Sequence, residues 1–140
     1  MVDVYAAYTA KTLLYVLLSE READESISHE NMPNWGRHCH FVDSHPYKAW
    51  FLIEVDDTPV GAIYLTRQGE IGIGIFKHQR RRGYAKAAIE KLIETNKGPF
   101  YANINPDNSK SMQLFGGFGF ITIQHTMKLT HGVIEEPCDV

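Results

Sequence analysis

The sequence lacks a long hydrophobic run and an excess of positive charge, and each lack excludes a class of protein. The longest apolar runs, such as residues 13–18, are six residues long, whereas a membrane-spanning helix needs about 18. Lys and Arg number 14 against 17 Asp and Glu, which gives a formal net charge of −3. This balance argues against binding nucleic acid across a broad basic face.

Cysteine is scarce too, with Cys39 and Cys138 as the two examples. A small secreted domain would more often carry a larger even set, so a reducing compartment is the default. Residues 1–4 contain no basic region and no cleavable apolar stretch, so we expect no secretory signal. The sequence therefore predicts a cytoplasmic protein that does not interact with membranes.

What the chain does contain is typical of one globular domain. It has 140 residues, of which 44% are hydrophobic and 22% charged, values that disfavour disorder. We predict a domain over residues 1–130 and a loose C-terminal tail over 131–140.

Hydrophobic periodicity predicts a mixed α/β domain. The predicted strands are 2–8, 50–55, 60–66, 70–76, 100–104 and 120–129. The predicted helices begin near Ala10, Pro33 and Gly83, and a short one follows Asn108.

A basic loop between the strand 70–76 and the next helix carries the chemistry. It reads Arg80-Arg81-Arg82-Gly83-Tyr84-Ala85. Gly83 and Ala85 keep side chains away from the backbone, so N–H groups at a helix N-terminus and nearby arginines can hold a phosphate. The spacing matches neither the P-loop nor the dinucleotide-binding fingerprint.

This loop resembles the pyrophosphate loop of the GNAT superfamily of acyl-CoA-dependent N-acyltransferases, whose pattern is [QR]-x-x-G-x-[GA]. A second signature of that family is similar to Asn108, Ser111, Leu114-Phe115 and Gly119-Phe120. The resemblance implies a single-domain α/β (α+β) fold. Its mixed, mostly antiparallel central sheet would be flanked by helices and splayed between strands 4 and 5.

The resemblance also implies acetyl-CoA as co-substrate and direct transfer of its acetyl group to a primary amine. The residues implied to bind the cofactor are Ile73, Ile75, Arg80, Arg81, Arg82, Gly83, Tyr84, Ala85, Asn108 and Phe115. The chain departs from the family at Phe115, where many members carry the Tyr that protonates the departing thiolate. Water, Ser111 or Tyr101 are the alternatives for that proton.

Glu70 is the candidate general base, because a carboxylate can take the proton of an ammonium acceptor. It shares a strand face with Gly72 and Gly74, which leave room for a substrate. A surface glutamate at a strand edge is the alternative interpretation.

Histidines cluster between residues 29 and 45, and the resemblance implies that this region walls the acceptor. His29 and His38 are the candidate substrate-binding residues. We expect no metal site, because His38, Cys39 and His40 do not converge on a helix.

The sequence is also compatible with two other functions. One is a non-catalytic acyl-CoA-binding module, suggested by Phe115, and the other is a nucleic-acid-associated protein that uses the loop Arg80 to Arg82. The acceptor is a small-molecule or protein amine, and the oligomeric state is open between monomer and homodimer.

Overall fold

A four-stranded antiparallel sheet forms the centre of the computed structural model, which describes residues 1–21 and 32–131. The strands lie in chain order: β1 (Val2–Asp3), β2 (Ala49–Val55), β3 (Thr58–Leu65) and β4 (Ile71–Ile75). Asp56 and Asp57 have φ of 50° and 63° at the tight turn between β2 and β3. Positive φ at both central residues is the signature of the hairpin turn that matches strand twist.

In these two ranges, the α-helices that accompany the sheet are α1 (Ala10–Ser19), α2 (Trp35–Asp43), α3 (Tyr84–Thr95) and α4 (Ser109–Gly117). Asparagine side chains cap two of them, since Asn34 accepts from the backbone N–H of Arg37 and Asn108 from that of Ser111. Within the two described ranges, no helix is both long and apolar enough to cross a membrane.

Strand alternation gives the sheet two apolar faces with different helices on them. One face packs with α3 and α4 in a core of buried residues that includes Ile63, Ile71, Ile89, Leu92 and Phe115. The other packs with α1 and α2 in a core that includes Leu14, Val42, Trp50, Leu52 and Ala62. The sheet is therefore the middle layer, and the three isoleucines of β4 face the α3–α4 layer while its two glycines face the α1–α2 layer.

Past β4 the sheet continues for one residue pair and then opens. Glu70 and Tyr101 form a parallel bridge, in which Tyr101 N–H donates to the Gly69 carbonyl at 2.9 Å and Ile71 N–H donates to the Tyr101 carbonyl at 2.8 Å. From there β4 and residues 103–105 line opposite sides of a cleft. The predicted mixed α/β fold with a mostly antiparallel sheet is confirmed, with the opening on the far side of β4.

Three predicted strands differ from the structure. The first ends at Asp3, because Val4–Ala6 forms a 3₁₀ turn held by the Asp3 side chain. The strand predicted over 100–104 is reduced to the bridge at Tyr101, and 120–129 is not a strand. The alternating pattern identified segments able to be strands, but a strand also needs a neighbour, and in the described part of the chain 100–104 has one paired residue and 120–129 has none.

The helix predicted from Pro33 begins at Trp35, since Asn34 has extended φ/ψ and serves as its cap. The tail predicted over 131–140 lies outside the described residues except for His131. The boundary of the domain at residue 130 stays a prediction.

Gly61 is required by the β3–β4 pairing. A Cβ built there would lie 2.1 Å from the Gly74 carbonyl oxygen and 2.9 Å from Ile75 Cα. Both are backbone atoms of β4, so Gly61→Ala should lower the free energy of unfolding by about 2 kcal/mol, a typical cost of overpacking. Chemical denaturation measures this loss.

Gly116→Ala is the matched control, because a Cβ on this helical glycine meets nothing within 4 Å. Alanine favours a helix over glycine, so this variant should be as stable as the wild type or more so. Equal stability of the two variants would contradict the β3–β4 register.

Candidate active site

The cleft beside β4 has a volume of about 780 Å³ and collects residues from both layers. Its floor is β4, one end is the loop before α3, and its far side is the segment from Asn103 to α4. It is lined by the sequence-predicted residues Glu70, Ile73, Ile75, Arg80, Arg81, Arg82, Gly83, Tyr84, Ala85, Asn108 and Phe115. Residues separated by up to 45 positions in the sequence thus share one cavity.

The backbone of β4 presents donors and acceptors to the cleft. Because Ile71 N–H bonds Tyr101 on the open side of the strand, the peptide groups of Ile73 and Ile75 point to the same edge. The peptide groups of the alternate residues face β3 instead. The floor of the cleft therefore includes a strand edge that is not paired with another described strand.

The loop before α3 brings backbone N–H groups and arginine side chains to one end of the cleft. Arg81 has φ of 67° and Gly83, the N-cap of α3, has φ of 80°. The first N–H groups of a helix have no intrahelical acceptor, and they face the same region as the positive end of the helix dipole. Arg80 Nε donates to the Ile75 carbonyl at 3.0 Å, which ties the loop to the end of β4.

On the far side, Asn108 caps α4 through its side-chain oxygen, which accepts from Ser111 N–H at 3.2 Å. Phe115 lies one turn beyond Ser111 and is 4% exposed. It packs edge-on against Phe120, with ring centroids 5.1 Å apart. Phe115 therefore belongs to the core and to the cleft wall at once.

Glu70 lies at the vertex of the cleft, and both of its carboxylate oxygens have donors. Thr66 Oγ1 accepts from the Glu70 N–H at 2.9 Å and donates to Glu70 Oε1 at 3.3 Å. Asn103 Nδ2 donates to Glu70 Oε2. The Glu70 carboxylate is thus oriented by donors from both sides of the cleft.

Thr66 and Asn103 are residues that sequence reasoning missed. The hairpin register offered a signal for Thr66, because pairing of Leu65 with Ile71 sets Thr66 opposite Glu70. Nothing in the sequence pointed to Asn103, whose position depends on the long-range bridge at Tyr101.

An aromatic wall, formed by Phe41, Tyr47 and Tyr64, continues the cleft from Glu70 on the α1–α2 face. The rings of Tyr47 and Tyr64 stack with centroids 3.9 Å apart and planes 5° apart. Burial raises the pKa of the Tyr47 hydroxyl, and the neighbouring Tyr64 adds to the effect.

The histidine predictions have different outcomes. His38 does not line the cleft; it is 5% exposed, donates from Nε2 to the Lys11 carbonyl at 2.8 Å, and lies against Tyr15 and Trp35. Those contacts give it a role in joining α1 to α2, and we withdraw it from the acceptor site. His29 lies outside the described residues. Within the described ranges, no group of three or more potential ligands could hold a metal ion.

Of the two hydroxyls considered for the thiolate, Ser111 lines the cleft. Tyr101 lines a separate small pocket with Arg67 and Pro99. The bridge at Tyr101 separates the two cavities, so Ser111 is the better placed of the pair.

Comparison with known proteins agrees with this geometry. A family model described as the acetyltransferase (GNAT) family matches residues 12–120. The chain belongs to the GNAT acetyltransferase family. The matched range begins in α1, ends just after α4, and includes β4, the basic loop and α3. No curated protein sequence matches the chain at a significant level.

Solved structures share the fold at low sequence identity. A ribosomal-protein-alanine N-acetyltransferase from Brucella melitensis has a TM-score of 0.65 at 16% identity, over 81% of this chain and 80% of that one. A spermidine N-acetyltransferase SpeG chimera from Vibrio cholerae has a TM-score of 0.68 at 17% identity, over 85% and 81%. An N-acetyltransferase from Staphylococcus aureus has 0.61 at 18%, over 79% and 78%.

The raised pKa of Tyr47 makes a prediction about alkaline stability. Above about pH 10 an unfolded tyrosine loses its proton, while the buried Tyr47 keeps it. The folded state then binds more protons than the unfolded state, so stability falls as the pH rises. Urea unfolding at pH 8 and pH 11 should show a smaller loss in Tyr47→Phe than in the wild type.

Tyr8→Phe is the control, since Tyr8 is fully exposed. It should lose as much stability between the two pH values as the wild type does. A Tyr47→Phe protein with the same alkaline loss would show that Tyr47 ionises freely in the folded state.

Proposed function

We propose that this protein transfers the acetyl group of acetyl-CoA to a primary amine, with Glu70 as the general base. The observation that carries the proposal is the placing of Glu70 at the closed vertex of a cleft whose open end is an anion-holding loop. A long thioester with a phosphorylated end fits such a cleft lengthwise. Its reactive end would then meet the carboxylate.

The residues present fit acetyl-CoA. The N–H groups of the loop Arg80 to Ala85 would hold the pyrophosphate, with the arginines supplying formal positive charge. The edge of β4 at Ile73 and Ile75 would pair with the amide groups of the cofactor arm, as a neighbouring strand would. Asn108 would add a side-chain contact from the far side. When bound, acetyl-CoA supplies the acetyl group as a thioester.

Glu70 has the geometry for proton removal from the acceptor. An amine arrives protonated, because its pKa is about 8 to 10.4, and its lone pair is available only after that proton leaves. Thr66 and Asn103 hold the carboxylate by its two oxygens, which fixes the direction from which it takes the proton, directly or through water. The amine nitrogen then bonds to the acyl carbon as the C–S bond breaks, and the nitrogen loses its second proton through water to the departing sulfur, so that an amide and a thiol result.

The sulfur leaves as a thiolate and takes up one proton. A thiol pKa near 8.5 makes this thiolate a weak base, so water in the cleft suffices as a donor. Ser111 is the hydroxyl that lines this wall one turn before Phe115. The Phe115 ring has no proton to donate and contributes an apolar surface to this wall.

The cofactor assignment predicts an effect of Gly83→Val on affinity. A β-branched residue is strained at φ of 80°, so the loop must shift and its N–H groups lose their common direction. We expect CoA to bind at least about tenfold more weakly, equal to about 1.4 kcal/mol. Calorimetric titration measures the change.

Gly119→Val is the matched control for backbone strain. Gly119 has φ of 95°, meets nothing within 4 Å of a built Cβ, and does not line the cleft. It should lose stability like Gly83→Val but keep wild-type CoA affinity. A folded Gly83→Val protein with unchanged affinity would remove the loop from the cofactor site.

The general-base assignment predicts that Glu70→Gln lowers kcat by about 10²-fold or more. The amide keeps the size of the carboxylate but cannot take a proton. Raising the pH toward the pKa of the amine should restore part of the rate, because more of the acceptor is then already neutral. A thiol-release assay across pH measures both effects.

Glu90→Gln is the control, since Glu90 is an exposed residue of α3 outside the cleft, and it should keep the wild-type rate. Wild-type turnover in Glu70→Gln at neutral pH would assign the base elsewhere. If wild-type protein binds CoA but releases no thiol with any amine, the chain is an acyl-CoA-binding module.

A further inference from the structure

We infer that the acceptor of this site is a monoamine whose amino group is attached to a flat apolar or aromatic body, and that Phe41 selects it. This inference rests on the proposed transfer to an amine and names its substrate class. It comes from the aromatic wall, which the proton transfer at Glu70 does not use.

The wall begins directly beside the proposed base. Tyr64 pairs with Gly72 across β3 and β4, and Thr66 bonds Glu70 at the next pair on the same face. Side chains of adjacent same-face pairs in a sheet are neighbours. An ammonium group held by Glu70 would therefore lie beside the Tyr64 ring, at the inner end of the aromatic wall.

Gly72 is the reason that the Tyr64 ring lies flat over the strand. A Cβ at this position would be 1.9 Å from Tyr64 Cζ and 2.3 Å from its hydroxyl oxygen. The ring thus occupies the space that a side chain on β4 would fill, and Tyr47 stacks on it. The result is a smooth surface that extends outward from Glu70.

Phe41 forms the outer part of the wall. It packs edge-on against Tyr47 and Trp50, with centroids 5.8 and 6.1 Å away, yet it remains 38% exposed. A large aromatic ring left open to a cleft that holds a carboxylate is suited to contact the body of a ligand whose charged end is at Glu70.

The charges around the cleft disfavour a polycation. Among the described lining residues, Glu70 and Asp107 are the carboxylates. The cations are Arg21, Arg80, Arg81, Arg82, Lys86 and Lys110. Asp107 belongs to the turn before α4, so, of the described charged residues that line the cleft, the one contributed by the α1–α2 side is Arg21, which repels a second ammonium group along the wall.

The test compares amines that differ in one feature. Thiol release from acetyl-CoA is followed with 2-phenylethylamine, ethylamine and spermidine. We expect kcat/KM for 2-phenylethylamine to exceed that for ethylamine by at least about tenfold, the worth of one well-packed ring. Spermidine should be no better than ethylamine. A preference for spermidine, or equal rates for the two monoamines, would overturn the inference.

Variants of α2 test whether Phe41 is the residue that selects the acceptor amine. Phe41→Ala should remove most of the preference for 2-phenylethylamine, because kcat/KM for that amine should fall by a much larger factor than kcat/KM for ethylamine. Phe41→Leu should be intermediate, since it keeps apolar surface but loses the ring. Trp35→Ala is the control, because Trp35 is on the same helix and 46% exposed but lies outside the cleft. An equal loss for both amines in Phe41→Ala would overturn the role of Phe41.

Calorimetric titration of 2-phenylethylamine, with and without CoA, separates this inference from the proposed function. If 2-phenylethylamine binds and Phe41→Ala abolishes that binding, the role of the aromatic wall is supported. This holds even if no amine releases thiol, because absence of thiol release overturns only the proposed transfer. Absence of 2-phenylethylamine binding overturns the inference, whatever the rates with other amines.

Discussion

One interrupted strand pairing, at Glu70 and Tyr101, organises the rest of this structure. Two backbone hydrogen bonds join the chain there, and past them β4 and the segment that leads to α4 separate. Separation leaves the peptide group of Ile73 and the N–H of Ile75 directed into a cleft, while the Ile75 carbonyl accepts from Arg80 Nε. Peptide groups on such an edge that lack a protein partner are satisfied by water or a ligand. The same interruption sets Glu70 at the vertex, within reach of Asn103 from across the gap.

Glycines let the two faces of β4 serve different purposes. On the α3–α4 face, Ile71 and Ile75 are buried in the main core and hold the strand in place. On the other face, Gly72 and Gly74 allow Tyr64 and Leu17 to approach the strand closely. The space beside Gly72 and Gly74, which the sequence suggested would be open to a substrate, is therefore filled by these side chains, and a ligand meets the outer surface of the aromatic residues instead.

Local patterns in the sequence predicted the local parts of this arrangement. The period-two runs predicted the β2–β3–β4 meander, and the periodicity after Gly83 and after Asn108 predicted α3 and α4. The six-residue basic loop is contiguous, so its place at a helix N-terminus followed from the sequence. The family also followed, because both of its signatures are short and ordered.

What the sequence did not predict depends on contacts between distant residues. Asn103 reaches Glu70 only because one bridge fixes the direction of its segment. An aromatic residue such as Phe41 has the same periodicity whether it packs in a core or lines a cleft, and His38 has the same spacing whether it faces a ligand or the Lys11 carbonyl. The alternating pattern over 120–129 likewise indicates which side chains could share one face of a strand. It does not indicate whether another strand lies beside that segment.

Hydrogen–deuterium exchange with and without acetyl-CoA tests most directly the claim that the unpaired edge of β4 holds the cofactor. The account predicts that acetyl-CoA slows exchange at the amides of Ile73, Ile75 and the loop 80–85, and leaves β1 and β2 unchanged. Unaltered exchange along β4 and this loop at saturating acetyl-CoA, or slowing confined to α1 and α2, would contradict it.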